Sequence, residues 1–219
     1  MSGVTAEMVK DLRERTGAGM MDCKAALSES KGNVEEAVEI LRKKGLKSLG
    51  KRAGKVAAEG CVGMYVHPGD QIAVMVELNS ETDFVARGDD FKALAKDIAL
   101  HVAAMKPQYA NVDDIPASII EREKEIALAT LNEKQLANAD KILPGKLAKF
   151  YEETVLMKQP FVRDDSGSKT IEQLVQELSV KCGEKIVVRR FMRFEVGEGI
   201  TKETSNYAEE VAATIAGAA

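Results

Sequence analysis

Reactive side chains are sparse in this 219-residue chain. His67 stands just before a Pro-Gly pair, and His101 falls inside an apolar-periodic run. Neither has a partner at a spacing that would make an acid–base pair, so each is read as structural. Cys23, Cys61 and Cys182 are isolated and odd in number, with no C-x-x-C pair. Such usage suits a reducing compartment. H-E-x-x-H, G-x-S-x-G and zinc-type Cys/His spacings are all missing. No catalytic cluster, cofactor site or metal site is therefore expected, and the chain does not read as an enzyme.

One stretch approaches a phosphate-binding loop. Gly45-Leu46-Lys47-Ser48-Leu49-Gly50-Lys51 fits the first seven places of G-x-x-x-x-G-K-[ST]. Arg52 then stands where a hydroxyl should hold Mg2+, and a helix pattern precedes the match where a buried strand is needed. A Gly- and Lys-rich linker produces such a match by chance. The same stretch, 42–55, carries seven Lys or Arg but no interleaved aromatics for base stacking. It reads as a solvated basic linker with some helical character that steers toward an acidic partner.

The unusual segment is Glu77-Leu78-Asn79-Ser80-Glu81-Thr82-Asp83-Phe84-Val85-Ala86-Arg87. It leaves a strand pattern and presents an acid beside an aromatic. Two readings are open. In one, Thr82 or Asp83 caps a turn and Phe84 tucks into the core, which local physics alone favours. In the other, Phe84 is an exposed wedge, the kind of aromatic anchor a binding hot spot supplies.

The elements that must position these residues follow from periodicity. Thr5 N-caps a helix bearing Met8, Val9 and Leu12, closed by Gly17; a second starts near Met20; a third carries Val34, Ala37, Val38 and Leu41 and ends at Gly45. The period then changes to two. Val62, Met64 and Val66, then Ile72, Val74, Val76 and Leu78, predict a hairpin over 60–79, with Pro68 and Gly69 suited to a type II turn. After a loop at 80–89, helices are predicted from Phe91 to Met105, over 117–138, over 144–157 and from Thr170, whose Gln173 completes a capping box. A strand over 185–196 and a short helix near 203–215 finish the chain. The predicted fold is α+β: a three-helix module (1–45), a basic linker (46–59), a core (60–200) and a C-terminal helical module (201–219). The core holds a small antiparallel three-stranded sheet covered by helices on one face. The other face then needs burial, which self-association would supply.

Composition sets the outer limits. Hydrophobic residues make up 45% and charged residues 30%, the profile of a globular rather than a disordered chain. A net charge of −4 argues against whole-surface nucleic-acid binding. No apolar run is long enough to span a membrane, and the charged N-terminal residues do not resemble a signal peptide, so a cytoplasmic location is expected.

ELNSETDFVAR, residues 77–87, resembles the core signature of the elongation factor Ts family, with its Thr-Asp-Phe-Val element at 82–85. LRERTGAGMMDCKAAL at 12–27 is similar to the family's N-terminal signature, and FEVGEGI at 194–200 to its C-terminal stretch. The likeness runs over nearly the whole chain in the family's order. It implies a non-enzymatic exchange factor that strips GDP from the GTPase elongation factor Tu. By resemblance, the N-terminal module, of ubiquitin-associated type, docks on the partner through Arg13, Met20 and Met21, a core position staying open for one of the methionines. Thr82, Asp83, Phe84 and Val85 would reach toward the partner's Mg2+ site, and Asn206, Tyr207 and Glu210 would dock further. Longer members carry a duplicated core and an inserted helical hairpin. A single β-hairpin and one late strand mark a short form, a type associated with homodimers. The rival reading is a binding adaptor, a ubiquitin-associated-type module joined to a dimerisation domain.

Overall fold

The computed structural model describes residues 4–201. Thr5 opens α1 (Ala6–Thr16) by accepting the Met8 N–H at 3.2 Å, and Gly17, at φ 68, closes it. Helix α2 (Met20–Glu29) follows, and Asn33 caps a third helix, α3 (Val34–Arg52), by accepting from the N–H groups of Glu35 and Glu36. Val9, Leu12, Cys23, Ala26, Leu27, Ala37 and Leu41 form a separate small core among the three helices.

Helix α3 (Val34–Arg52) does not end at Gly45 but runs through most of the basic stretch. A glycine inside a helix costs only about 1 kcal/mol relative to alanine, too little to stop it. The reason for Gly45 is a close approach: a Cβ there would lie 2.5 Å from Cγ1 of Val180, on the helix that α3 crosses. The near-match to a phosphate loop is thus largely helical and has no strand before it.

Strands β1 (Glu59–Val66) and β2 (Ile72–Ser80) pair antiparallel. The turn joins His67 C=O to the Asp70 N–H at 3.0 Å, with Gly69 at φ 92, the third-position conformation a type II turn requires. The 80–89 segment is not all loop, because Thr82 caps a one-turn helix, α4 (Asp83–Ala86). Next come α5 (Asp89–Met105), α6 (Ala117–Ala129), α7 (Glu133–Leu136), α8 (Ala139–Thr154), α9 (Ile171–Cys182) and β3 (Val187–Glu195). The sheet order is β1-β2-β3, antiparallel throughout.

The helix predicted over 117–138 is broken after Ala129. Asn132 and Gln135 form a capping box, each side chain serving the other's backbone N–H, and restart the chain as α7. The next helix begins five residues before Pro144, which lies inside α8 rather than at its first turn. Helices α6 and α8 pack as a pair. The capping box predicted at Thr170 and Gln173 is present and opens α9.

Alternation puts Val74, Val76, Leu78 and Val188 on the sheet face that meets Phe91, Leu94, Ala95, Ile98 and Val102 of α5. Burying each of the larger side chains contributes about 1.5–3 kcal/mol. Helix α9 adds Ile171, Val175 and Leu178 to the same core, and α3 lies on α9. The opposite face is open. Met64, Met75 and Met192 stand in one row across the three strands, flanked by Val66 and Phe194, all of them exposed. A bulge after Glu77 brings both Arg189 and Arg190 onto its carboxylate, at 2.8 and 2.6 Å. The Arg189 and Arg190 guanidiniums hold that carboxyl below its usual range.

His101 is structural, as expected. It is fully buried on α5, where its Nδ1 accepts the Val162 N–H at 3.2 Å and its Nε2 lies 3.0 Å from Gln159 Oε1. A backbone donor at Nδ1 fixes the neutral tautomer with the proton on Nε2. Gln159 in turn donates to the Glu153 carbonyl at 3.0 Å, so the ring pins the connection between α8 and α9.

The C-terminal helix expected near 203–215, with Asn206, Tyr207 and Glu210, lies outside the described residues.

Candidate functional site

Among the described residues, Phe84 is the large apolar side chain least covered by the fold, 86% exposed. The chain leaves β2 at Ser80, and a single helical turn carries Asp83, Phe84, Val85 and Ala86. Ala86 is buried and Val85 packs partly against the main core, so the turn is anchored on one side. That anchorage points Phe84 outward. The reading that tucks Phe84 into the core is excluded.

One helical turn has almost no stability of its own, because nucleation fixes several residues for a single hydrogen bond. Its neighbours hold it. Thr82 Oγ1 accepts the Val85 N–H at 3.4 Å, and Ser80 Oγ donates to the Thr82 carbonyl at 2.9 Å. Both carboxylate oxygens of Glu184, just after α9, are used on Thr82. Its hydroxyl donates to one at 2.7 Å and its N–H to the other at 3.1 Å. Glu81 ties the same segment to α3: Arg52 Nη1 donates to its Oε2 at 2.7 Å, and the Lys185 N–H to its Oε1 at 2.8 Å. The Lys185 N–H and the Arg52 guanidinium hold the Glu81 carboxyl below its usual range. Lys185 Nζ donates to the Ala53 and Lys55 carbonyls at 2.6 and 3.1 Å. The end of α3, the segment 80–82 and the turn before β3 are thus one polar junction. Sequence reasoning passed over Glu184 and Lys185, and took Arg52 as linker charge and as the residue that spoils a phosphate-loop match, not as an anchor for Glu81.

Asp83 pairs with Arg87 one turn on, at 2.9 Å, and both side chains are largely exposed. Such a pair is worth less than about 1 kcal/mol, so Asp83 is readily available to another partner. Among the described residues no group of three or more His, Cys, Asp or Glu side chains is placed to hold a metal ion. Nor, among them, is any helix long and apolar enough to cross a membrane.

The second group of predicted residues lies on the three-helix module. Arg13 and Met20 line one shallow depression with Lys10, Glu14 and Gly17. Met20 and Met21 are 56% and 76% exposed, which rules out a core position for either. Among the described residues, no hydrogen bond or ion pair joins Arg13 to the segment 82–85; the structure presents two separate surfaces on one frame.

The model of the family described as "Elongation factor TS" matches residues 4–198. The chain belongs to the elongation factor Ts family. An elongation factor Ts of Acetivibrio thermocellus is 53% identical over 98% of this chain and 100% of its own length. That of Desulforamulus reducens is 51% identical over 98% and 99%, and that of Carboxydothermus hydrogenoformans 50% over 97% and 98%. Relatives of this family therefore match the chain nearly end to end. Arg13, Met20, Met21 and Thr82–Val85 fall inside the family match, whereas Asn206, Tyr207 and Glu210 fall beyond it.

Proposed function

We propose that the chain is a guanine-nucleotide exchange factor for elongation factor Tu, acting by contact and without bond chemistry. The observation that carries this reading is Phe84: an exposed aromatic on a fixed, capped turn, where a core position was available by type but not used. GDP is held on such a GTPase largely through its phosphates and a bridging Mg2+. An aromatic wedge with Asp83 beside it displaces the elements around that ion, and nucleotide binding weakens. Arg13, Met20 and Met21 hold the partner while this happens, and Asn206, Tyr207 and Glu210 provide a further contact. Coupling is reciprocal, so GDP loosens this protein by the factor by which this protein loosens GDP, on the order of a hundredfold for 3 kcal/mol. GTP entering restores the ion site and releases the factor.

The open sheet face serves a second copy. Met64, Met75, Met192, Val66 and Phe194 form a contiguous apolar surface, and two such faces packed together bury it. Light scattering at micromolar concentration is expected to report twice the 23.8 kDa chain mass. A single chain mass throughout would remove the homodimer.

The deciding experiment is stopped-flow release of a fluorescent GDP analogue from elongation factor Tu. The full-length protein is expected to accelerate release in a saturable way and to hydrolyse no nucleotide alone. Unchanged release, or GTP turnover by the chain itself, would overturn the reading.

A further inference from the structure

We infer that Glu184 is a positioning residue for the Phe84 wedge: its carboxylate, fixed beside Thr82, holds the one-turn helix in its projecting geometry. The inference rests on the proposed exchange function for its consequence, but not for its structural content. Glu184 follows α9 and stands 102 residues from Thr82, so the contact is wholly tertiary.

The geometry is directional. Thr82 has one hydroxyl proton, and Glu184 Oε1, at 2.7 Å, takes it. With the proton committed, the lone pairs of Thr82 Oγ1 are free for the Val85 N–H at 3.4 Å, the side-chain cap of α4. The Thr82 N–H has no helical acceptor, and Glu184 Oε2 satisfies it at 3.1 Å. One carboxylate therefore orients both polar groups of the capping residue. It also places negative charge before the first turn of α4, the favourable end. Phe84 contributes nothing to holding itself, being 86% exposed. Its direction is set by Thr82 behind it, by Ala86 ahead of it, and by Val85 partly packed below.

Glu81 supports the same junction from the other side. Its carboxylate is occupied by Arg52 and by the Lys185 N–H, and Lys185 is the residue next to Glu184. The turn that presents Glu184 is thereby held at a fixed distance from the segment that receives it.

The test uses the full chain as wild type, Glu184→Ala, Glu184→Gln, Thr82→Val and the double variant Thr82→Val/Glu184→Ala. The first readout needs no partner: NMR hydrogen exchange of the Val85 and Ala86 amides, with Ile98 and Val102 as core references. In Glu184→Ala, exchange at 85 and 86 is expected to rise about tenfold, the scale of a hydrogen bond to a charged group, with the references unmoved. The second readout is release of the fluorescent GDP analogue over a range of factor concentrations. The saturating rate is expected to fall about tenfold while the half-saturating concentration changes less than about twofold, because the docking surface is intact. Glu184→Gln retains one acceptor oxygen and is expected to recover part of both losses. The double variant is expected to lose little more than either single one, since both remove the same cap. Unchanged exchange at 85 and 86 in Glu184→Ala, a normal saturating rate, or losses that multiply in the double variant would each overturn the inference. If wild type itself fails to accelerate release, the exchange reading falls, and the amide readout alone decides the clamp.

Discussion

Two phenylalanines seven positions apart meet opposite fates. Phe91 opens α5, a helix of 17 residues, and is 1% exposed at the centre of the core. Phe84 rides on α4, a helix of four residues, and is 86% exposed. Residue type does not separate them; the periodic context does. Phe91 is followed by Leu94, Ala95, Ile98 and Val102, which carry its face along the sheet. The turn bearing Phe84 is too short to repeat a face, and its inward positions are taken by Val85 and Ala86. An aromatic that the core does not claim is free to act on another molecule.

The largest effect expected from this contrast is at Phe91. Phe91→Ala removes a ring from a packed interior and should cost about 3–5 kcal/mol of folding stability. For a chain of this size the melting temperature should fall on the order of 10 °C, while the folded fraction still exchanges nucleotide normally. Phe84→Ala should do the reverse. Stability should change by less than about 0.5 kcal/mol. The saturating rate of GDP release should drop at least about twentyfold, since a hot-spot aromatic is worth about 2 kcal/mol or more. A Phe84→Ala protein that melts much lower yet exchanges normally would erase the distinction.

Smaller effects sharpen it. Asp83→Ala removes an exposed charge but no apolar volume, so its loss of exchange rate should be milder than that of Phe84→Ala. Arg13→Ala and Met20→Ala should weaken complex formation, read as a higher half-saturating concentration, and leave the saturating rate in place. If saturating Arg13→Ala lost nearly all acceleration, the module would be acting on the nucleotide site and the division of labour would fail.

The smallest effect is an acid-side slope. Burial pushes the His101 imidazole below its ordinary value of 6.5, so the unfolded chain takes up a proton there that the folded chain refuses. A depressed folded value contributes stability that is whole above about 6.5 and is lost as pH falls toward the folded value. The lowered Glu77, Glu81 and Glu195 carboxyls act with the same sign but at lower pH, below their ordinary value of 4.5. Melting temperature followed from pH 7 to 5 should therefore decline less steeply in His101→Gln than in wild type, even if that variant starts lower. Parallel curves would remove His101 from the acid response.

What was legible in the sequence was whatever repeats or caps locally. The face of α5, the alternation of β1 and β2, the Pro68-Gly69 turn and the Thr170–Gln173 box all declare themselves within a few residues. Glycine and proline misled where their reason was distant or their cost bearable. Gly45 reads as a stop but serves a helix crossing at Val180, and Pro144 reads as a start but lies within α8. At the candidate site, local physics favoured Phe84 in the core, and only the likeness of ELNSETDFVAR to a family signature argued otherwise. The junction of Arg52, Glu81, Glu184 and Lys185 was out of reach, because its contacts join segments 29 to 132 residues apart.

The crossing at Gly45 has a further consequence. Gly45 brings no side chain of its own there, so the Val180 side chain alone fills the space between α3 and α9 and the three-helix module lies close on the core, while Arg52 and Lys185 fasten the far end. The span from Arg13 and Met20 to Phe84 then behaves as the opening of a gauge. Under the proposed exchange reading, a partner whose binding face and nucleotide pocket lie that far apart would be gripped and prised in one approach; one with a different span would be gripped or prised, but not both. A single added methyl, as in Gly45→Ala, would reset the gauge without touching either jaw.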